Sequence, residues 1–299
     1  MAKFKVSSRI VRSGRSRWFS EAAIPFRHPG TIRLSLRIER LVHRERSAFQ
    51  DILIFDHAVF GRVLVLDGIV QLTQADEFIY HEMLVHPVLL SHPDPRDILI
   101  IGSGDGGALR EVLRHPVREV CLVDIDRRVI ELSQEHLGFA SAGAFRSRRA
   151  RVMVQDGQQF IRNYAGRFDI VIVDSTDPVG ASTPLYTEGF YRDVFRALKD
   201  EGMLVAQVGT FLDFEDIIRT THRSLARLFP SVQTYRFSIP SYLCGDYCFI
   251  AASKAIDLAA PEFEAIERRF AVLARKKRFR YYSPAIHRAA CTLPRVWRL

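Results

Sequence analysis

The sequence predicts an α/β protein in which a small antiparallel β domain precedes a doubly wound, mostly parallel sheet. Two observations lead to this fold class. Between residues 31 and 73, short β-branched runs such as DILIFD and GRVLVLDG are separated by tight connections, which is typical of antiparallel strands. After Pro95, apolar runs of strand length alternate with segments of helical periodicity, which is the pattern of a parallel sheet covered by helices.

The individual elements follow in chain order. ADEFIYHEMLVHPVLL has apolar positions near helical spacing and predicts a helix that leads out of the β domain. The strands expected after it are DILIIG, EVCLVDID, ARVMVQDG, FDIVIVDS and MLVAQVG. The helices expected among them are ALREVLRH, TEGFYRDVFRALKD and the amphipathic FEDIIRTTHRSLARLF. We therefore expect a β domain over residues 18–80 and an α/β domain over residues 81–299.

Length and composition are those of an ordinary globular protein. The chain has 299 residues, of which 47% are hydrophobic and 26% are charged, so it can bury a substantial core. No apolar run reaches the roughly 18 residues of a membrane helix, and the basic N-terminus lacks the apolar core of a secretion signal. The four cysteines show no CxxC spacing, which argues against a zinc module or a disulfide scaffold. We expect a cytoplasmic protein that binds no membrane.

The net charge of +9 is unevenly placed. Residues 1–17 carry six Lys or Arg and no acid, and residues 265–299 carry ten Lys or Arg and one Glu, which leaves residues 18–264 with a net charge of −6. We expect residues 1–17 to form a flexible basic arm that serves solubility or loose association with anions, without recognising a specific nucleic acid. The acidic body suits a cationic substrate.

A glycine-rich loop, GSGDGG, joins the strand DILII to the helix ALREVLRH. Gly102, Gly104 and Gly107 form a G-x-G-x-x-G pattern, and Asp124 lies twenty residues after Gly104 at the end of the next strand. Glycines let the backbone approach a ligand and the acid can accept both ribose hydroxyls, so the pattern predicts a nucleoside site. Asp105 within the loop would repel a phosphate at the helix N-terminus, which favours a cationic sulfonium nucleoside over NAD. The alternative for Asp105 is a helix-capping carboxylate.

Further acids occupy strand ends in the same half of the chain. Asp156 precedes Gly157 at the end of one strand, Asp174 ends another, and Asp177 follows three residues later. The carboxyl ends of strands in an open α/β sheet border the binding crevice. We therefore expect these acids to line one strongly negative pocket together with Asp105 and Asp124.

These segments resemble the spermidine synthase (polyamine aminopropyltransferase) family over residues 18–299. The resemblance rests on GRVLVLDGIVQLTQADEFIYHEM, LIIGSGDGGALREVLRH, VMVQDGQQF, FDIVIVDSTDPVG and RYYSPAIHRAACTLP. It implies an N-terminal β domain, a Rossmann-like catalytic domain and a homodimer or homotetramer. It also implies aminopropyl transfer from decarboxylated S-adenosylmethionine to putrescine, which gives spermidine and methylthioadenosine. The nucleoside is a co-substrate that carries its own leaving group, so we expect no other cofactor and no metal.

The resemblance implies a role for each matching residue. Asp174 matches the proton acceptor. The polyamine contacts it implies are His81, Asp105, Asp177, Tyr80 and Tyr242, with Trp18 near the distal amine. The nucleoside contacts it implies are Gln50, Gly102, Gly104, Asp124, Asp156 and Gly157. Ser103 and Ala181 depart from the family pattern, which usually has a glycine and a proline there.

Two other functions remain open at the level of sequence. One is an S-adenosylmethionine-dependent methyltransferase, which would use much the same nucleoside pocket. The other is a non-catalytic nucleic-acid-binding protein that uses the basic ends, although the acidic body opposes it. For an aminopropyltransferase, the acceptor is open among putrescine, cadaverine, agmatine and spermidine, because selection by length depends on pocket depth.

Overall fold

The computed structural model describes residues 9–22, 33–178, 180–243, 245–297 and 299. The chain divides into two compact units. The first comprises Met1–Glu77 with Ile239–Gly245, and the second comprises Phe78–Ser238 with Asp246–Leu299. The sequence predicted a division after residue 80 and one continuous second domain. The observed division falls at residue 77, and the short segment between two late strands belongs to the first unit.

The first unit contains two antiparallel sheets. Its strands are β1 (Arg9–Ser13), β2 (Ser16–Ala22), β3 (Arg33–Ile38), β4 (Arg40–Arg46), β5 (Asp51–His57), β6 (Gly61–Leu66) and β7 (Ile69–Thr73). Strands β1 to β3 form one sheet and β4 to β7 form the other, each in chain order. Phe19, Phe55 and Val63 are fully buried in the core of this unit, so the predicted antiparallel β domain is present.

The expectation of a flexible arm over residues 1–17 is wrong for residues 9–17. Strand β1 pairs with β2 in an antiparallel hairpin that aligns Val11 with Trp18. Gly14 makes the turn with a φ of 61°, a left-handed conformation that glycine adopts without strain. Ile10 packs against the core of the unit, so this basic segment has both an apolar contact and a paired backbone. Residues 1–8 of the expected arm lie outside the described residues.

The second unit is built on a seven-stranded sheet. Its strands are β8 (Asp97–Gly102), β9 (Glu119–Asp124), β10 (Ala150–Val154), β11 (Phe168–Asp174), β12 (Leu198–Gly209), β13 (Ser231–Ser238) and β14 (Asp246–Ser253). The order across the sheet is β10-β9-β8-β11-β12-β14-β13. The first five of these strands are parallel, whereas β14 runs antiparallel to both of its neighbours. This is the predicted doubly wound, mostly parallel, Rossmann-like sheet.

Helices connect these strands and cover the sheet. They are α1 (Glu77–Ser91), α2 (Gly107–Val112), α3 (Arg127–His136), α4 (Gly138–Ser141), α5 (Gly157–Ile161), α6 (Glu188–Ala197), α7 (Phe211–Ala226), α8 (Phe263–Ala274) and α9 (Pro284–Ala290). Several begin at a side chain that accepts a backbone N–H of the first turn, as the helix-capping rule requires; these residues are Asp126, Asp156, Thr187, Thr210 and Ser283. Among the described residues, no helix is long and apolar enough to cross a membrane.

The order of the strands sets the position of a crevice. The chain runs outward from β8 through β9 to β10, and then returns to place β11 on the other side of β8. The direction of winding therefore reverses between β8 and β11, and ligands of open α/β sheets bind outside the carboxyl ends of the strands at such a reversal. Between their terminal residues both strands are buried and mostly apolar, so their carboxyl ends are anchored in the core beneath the crevice.

Charged side chains meet at the opposite, amino edge of the sheet. Asp97 at the start of β8 is 1% exposed. Its carboxylate pairs with Arg118, Arg167 and Lys199 at N–O distances of 2.6, 3.0 and 2.9 Å. Burial opposes the charge of Asp97, but these three cations outweigh it and lower the pKa from 3.8 to about 2.

We predict that Asp97→Asn lowers the free energy of unfolding by about 2 kcal/mol at neutral pH, because a lowered carboxyl pKa reports a native state that favours the charged form. This stabilisation is present above the unfolded pKa of 3.8 and is lost as the pH falls towards about 2. Urea unfolding of both proteins at neutral and acidic pH measures it. A difference that stays constant on acidification would contradict the ion-pair explanation.

Candidate active site

The carboxyl ends of β8 and β11 touch at their backbones. A Cβ atom on Gly102 would lie 2.0 Å from the carbonyl oxygen of Asp174, so only glycine fits at this position. The N–H of Ser103 donates to the same carbonyl at 3.0 Å. The glycine-rich loop and the end of β11 are therefore joined directly, and the crevice predicted from the strand order opens here.

Ser103 replaces a usual glycine of the loop and is accommodated by a left-handed backbone with a φ of 60°. Its hydroxyl accepts the N–H of Ala108 in the first turn of α2 at 3.3 Å. The N–H of Gly106 donates to the carbonyl of Ser103 at 2.8 Å and closes the turn. The departure from the family pattern thus adds a helix-capping contact, which offsets the strain of its backbone.

The nucleoside side of the crevice lies at the ends of β8, β9 and β10. A Cβ on Gly104 would lie 2.8 Å from Oδ2 of Asp124, so the glycine makes room for this carboxylate. Burial raises the pKa of Asp124 to about 6, and the charges of Asp126 and Asp105 add to the effect. Asp156 caps α5 by accepting the N–H groups of the next turn, which is a structural contact. Asp124 thus lies beside the glycine-rich loop and Asp156 makes a helix-capping contact, while the predicted nucleoside contacts of both stay predictions.

His81 and Asp105 meet between α1 and the loop. Nε2 of His81 lies 3.3 Å from Oδ1 of Asp105, and the His81 side chain is 3% exposed. The imidazole occupies the space above Gly107, where a Cβ would lie 2.2 Å from its Cε1 atom. The N–H of Gly107 donates to Asp105 at 2.6 Å, so Asp105 also serves the helix-capping role considered from sequence. Burial opposes the charge of Asp105, but His81 and Gly107 outweigh it and lower its pKa.

Asp174 stands opposite this pair at the end of β11. Its Oδ1 atom accepts the phenolic O–H of Tyr80 at 2.7 Å, while its Oδ2 atom is buried and makes no hydrogen bond within the described residues. Burial raises the pKa of Asp174 to about 6, and the nearby charge of Asp105 contributes. Such a carboxylate is mostly ionised at neutral pH and yet holds a proton readily, as a general base must.

One ligand atom from each of His81, Asp105 and Asp174 lies within 4.8 Å of the others. This cluster can hold a cation. Its carboxylates and imidazole suit a metal ion such as Zn²⁺, and equally a substituted ammonium group, whose N–H groups donate to the carboxylate oxygens and whose positive charge their negative charge stabilises.

The segment after Asp174 is held by residues that the sequence reasoning missed. The side-chain amide of Gln207, a fully buried residue of β12, donates to the carbonyls of Ser175 and Thr176 at 2.8 and 2.9 Å. The hydroxyl of Tyr247 lies 2.7 Å from Oε1 of Gln207 and 3.1 Å from Oδ1 of Asp177, which are two acceptors for its one proton. A polar glutamine within the apolar strand MLVAQVG was the available signal, because a buried amide requires partners.

Asp177 is brought to the same side of the sheet by this network. Burial raises its pKa to about 6, and the hydrogen bond from Tyr247 opposes the rise. The rings of Tyr80 and Tyr247 lie 5.7 Å apart, and Phe249 packs edge-on against Tyr80 at 5.0 Å. The rings of Tyr80 and Tyr247 thus connect the carboxylates of Asp174 and Asp177. Neighbouring aromatic rings between two carboxylates suit an alkyl chain with a cationic end.

Three predicted site residues belong to the first unit. Gln50 follows β4 in a turn in which its N–H donates to the hydroxyl of Ser47 at 3.0 Å. Tyr242 donates its phenolic hydrogen to the carbonyl of Gln71. Trp18 lies in β2 opposite Arg37 of β3. Their predicted ligand contacts stay predictions.

The chain is similar to known proteins over nearly its whole length. Residues 77–260 match the spermine/spermidine synthase domain, and residues 17–74 match the spermidine synthase tetramerisation domain. A polyamine aminopropyltransferase of Desulforudis audaxviator is 42% identical over 93% of this chain and 96% of its own. One from Escherichia fergusonii is 41% identical over 86% and 89%.

Two solved structures have the same fold. A spermidine synthase in complex with the transition-state analogue AdoDATO superposes with a TM-score of 0.87 at 33% identity, covering 98% of this chain and 96% of that one. The spermidine synthase of Thermotoga maritima gives 0.85 at 32% identity, covering 98% and 95%.

We predict that Tyr80→Phe raises the pKa of Asp174 further above about 6, because the lost O–H donor stabilises the carboxylate. Infrared titration of the carboxyl band, assigned by its loss in Asp174→Asn, measures the shift. Tyr164→Phe is the control, since this ring packs on Phe160 and Phe168 away from the site. An unchanged pKa in Tyr80→Phe would show that the hydrogen bond contributes nothing to the ionisation of Asp174.

Proposed function

The chain belongs to the spermine/spermidine synthase family, and we propose that it is an aminopropyltransferase, a spermidine synthase that moves the aminopropyl group of decarboxylated S-adenosylmethionine to putrescine. The observation that carries the proposal is the Asp174 carboxylate with its raised pKa, held by Tyr80 across from His81 and Asp105. A base beside a cation-binding cluster suits a diamine, because one amino group must lose a proton before it can attack while the other stays protonated.

The chemical obstacle is the acceptor. An alkylammonium group has no lone pair, and its unperturbed pKa is about 10.4, so it is protonated at neutral pH. We assign the role of base to Asp174, which takes one proton from the attacking nitrogen while the Tyr80 hydroxyl fixes the carboxylate. His81, Asp105 and Asp177 are proposed to position the amine, which turns a bimolecular displacement into an aligned one.

The transfer itself is a displacement at carbon. The nitrogen lone pair forms a bond to the carbon next to the sulfonium, the C–S bond breaks, and its electron pair stays on sulfur to give methylthioadenosine. Asp174 has already taken one proton from the acceptor ammonium, so positive charge moves from sulfur to nitrogen and the new secondary amine leaves as an ammonium. Carboxylates around the nitrogen favour this movement of charge because they are oriented before the reaction begins.

The donor nucleoside is assigned to the loop side of the crevice. Asp124 is proposed to accept the ribose hydroxyls, with Gly102 and Gly104 allowing close approach of the backbone. Asp156, Gly157 and Gln50 are proposed as further nucleoside contacts, and Tyr242 as a contact to the amine. The donor brings its own leaving group, so the proposed reaction requires no further cofactor and no metal.

We further propose a cytoplasmic homo-oligomer, either a dimer or a tetramer, in line with the tetramerisation-domain match at residues 17–74. The choice of acceptor is tested by incubating the purified protein with decarboxylated S-adenosylmethionine and, separately, putrescine, cadaverine, agmatine or spermidine. Mass analysis of the products identifies the amine that is used. Spermidine formed from putrescine supports the proposal, whereas no aminopropylated product with any amine would overturn it.

We predict that Asp174→Asn lowers kcat by about 10²–10⁴-fold, the usual contribution of general-base catalysis. The affinity for methylthioadenosine should change little, because Asp174 faces His81 and Asp105 on the amine side. In the wild-type protein, kcat/KM should fall below about pH 6 as Asp174 becomes protonated. Steady-state rates across pH and calorimetric titration of the nucleoside measure both effects. A loss smaller than tenfold would count against Asp174 as the base.

We predict that intact S-adenosylmethionine binds more weakly than its decarboxylated form. We also predict that Asp105→Asn makes the difference between these two affinities smaller. The intact molecule brings a carboxylate towards Asp105, where a unit-charge contact at about 4 Å is worth roughly 4 kcal/mol at an effective dielectric of about 20. A quarter of this, about 1 kcal/mol, still gives about a fivefold difference in affinity. Calorimetric titration of both nucleosides against both proteins measures the gap. Equal affinities for the wild-type protein would favour a methyltransferase.

A further inference from the structure

Helix α1 carries Tyr80 and His81, and it is held from the side by a segment far along the chain. Phe78, Glu82 and His86 are four residues apart and therefore form one stripe along the helix. This stripe contacts the C-terminal segment Arg278–Tyr282, to which the proposed mechanism gives no role and whose last three residues begin the motif RYYSPAIHRAACTLP.

The central contact of the stripe is a carboxylate that accepts three backbone amides. Glu82 is 1% exposed. Its Oε1 atom accepts the N–H of Arg280 at 2.9 Å, and its Oε2 atom accepts the N–H groups of Tyr281 and Tyr282 at 2.9 and 2.7 Å. Hydrogen bonds to an ionised acceptor are about twice as strong as neutral ones, and three fixed donors leave the carboxylate little freedom.

Ring contacts extend this attachment in both directions along the helix. The guanidinium of Arg280 lies 3.5 Å from the centre of the Phe78 ring. The ring of His86 packs edge-on against Phe279 and Tyr282, with centroids 4.8 and 5.4 Å apart. The C-terminal segment therefore contacts α1 over about two turns of the helix.

The same segment also reaches the end of α2. Arg114, just beyond α2, donates to the carbonyl of Arg278 and lies 4.2 Å above the ring of Phe279. Helix α2 begins beside Asp105, and α1 carries His81. One segment thus contacts the helix that carries His81 and the residue that follows the helix after Asp105.

We propose that Glu82 is a positioning residue, through which the backbone of Arg278–Tyr282 holds α1 so that Tyr80 and His81 meet Asp174 and Asp105. This proposal rests on the proposed function for its kinetic consequence. A helix shifts as a rigid body, so release of Glu82 changes the Tyr80–Asp174 and His81–Asp105 distances together. A displacement of about 1 Å can cost about 100-fold in rate when it misaligns reacting groups.

Two substitutions test the contact from its two sides. Glu82→Gln keeps the shape of the side chain but turns an N–H donor towards the amides of the C-terminal segment. Tyr281→Pro removes one of those amide donors, and Tyr281→Ala is its matched control because it keeps the N–H and loses only the ring. Asp97→Asn is the control for general loss of stability, since it removes a buried carboxylate at the opposite edge of the sheet.

The measurements are the KM for putrescine, the kcat, the Kd for methylthioadenosine and hydrogen exchange of the peptide that contains α1. We expect Glu82→Gln and Tyr281→Pro to raise the amine KM about tenfold, to lower kcat and to speed exchange in α1. The Kd for methylthioadenosine should stay within about twofold. Tyr281→Ala and Asp97→Asn should keep the wild-type KM, and the double variant should be no worse than the more affected single variant, because both changes break one contact.

Two results would overturn the proposal: an amine KM in Glu82→Gln no higher than in Asp97→Asn, or losses in the double variant that multiply. If one of the two substitutions prevents folding, the other one still tests the proposal by comparison with its own control. That control is Asp97→Asn for Glu82→Gln, and Tyr281→Ala for Tyr281→Pro. If the wild-type protein transfers no aminopropyl group, the proposed function fails, and hydrogen exchange then decides the positioning role separately. Exchange of α1 that is unchanged by Glu82→Gln and by Tyr281→Pro would refute it.

Discussion

The close contact between the ends of β8 and β11 is the constraint on which the rest of the second unit depends. The backbone of Gly102 lies against the carbonyl of Asp174 with no room for a Cβ atom, and the N–H of Ser103 donates to that carbonyl. Because the strands are parallel neighbours at the point where the winding reverses, their ends open into one crevice. The loop that begins at Gly102 and the acid that ends β11 are therefore placed together by the sheet itself.

This arrangement concentrates negative charge where burial opposes it. Asp124, Asp174 and Asp177 all have pKa values raised to about 6 by burial. Asp105 differs, because His81 and the amide of Gly107 lower its pKa. Carboxylates that are partly withdrawn from water are less favourable as ions, so their grouping around one crevice favours a cationic ligand that would compensate their charge.

Two buried polar side chains near the crevice form their hydrogen bonds with backbone atoms. Gln207 binds the carbonyls that follow Asp174, and Glu82 binds the amides of the C-terminal segment behind α1. In both cases a side chain on a regular element holds irregular backbone, which has no partner of its own in a sheet or helix. The reactive groups on the loops and on α1 are oriented by these contacts.

The sequence by itself determined the fold class, the order of strands β8 to β12 and the acids at the strand ends. Hydrophobic periodicity and glycine spacing are local properties, and the contact of parallel strand ends follows from them. The pairing of β1 with β2 was missed, because the prediction for residues 9–17 relied on their charge and gave too little weight to Ile10, which packs against the core.

Only the tertiary structure decided which side chains form hydrogen bonds with each other and which charged groups lie close together. The partnership of Tyr80 with Asp174, of Gln207 with the segment after it, and of Glu82 with residues about 200 positions later depends on distances that no local pattern encodes. The shifts in pKa depend on burial in the same way. Burial and long-range contact arise when the chain packs, so the sequence could indicate which acids are present and at which strand ends, but not how each one is ionised.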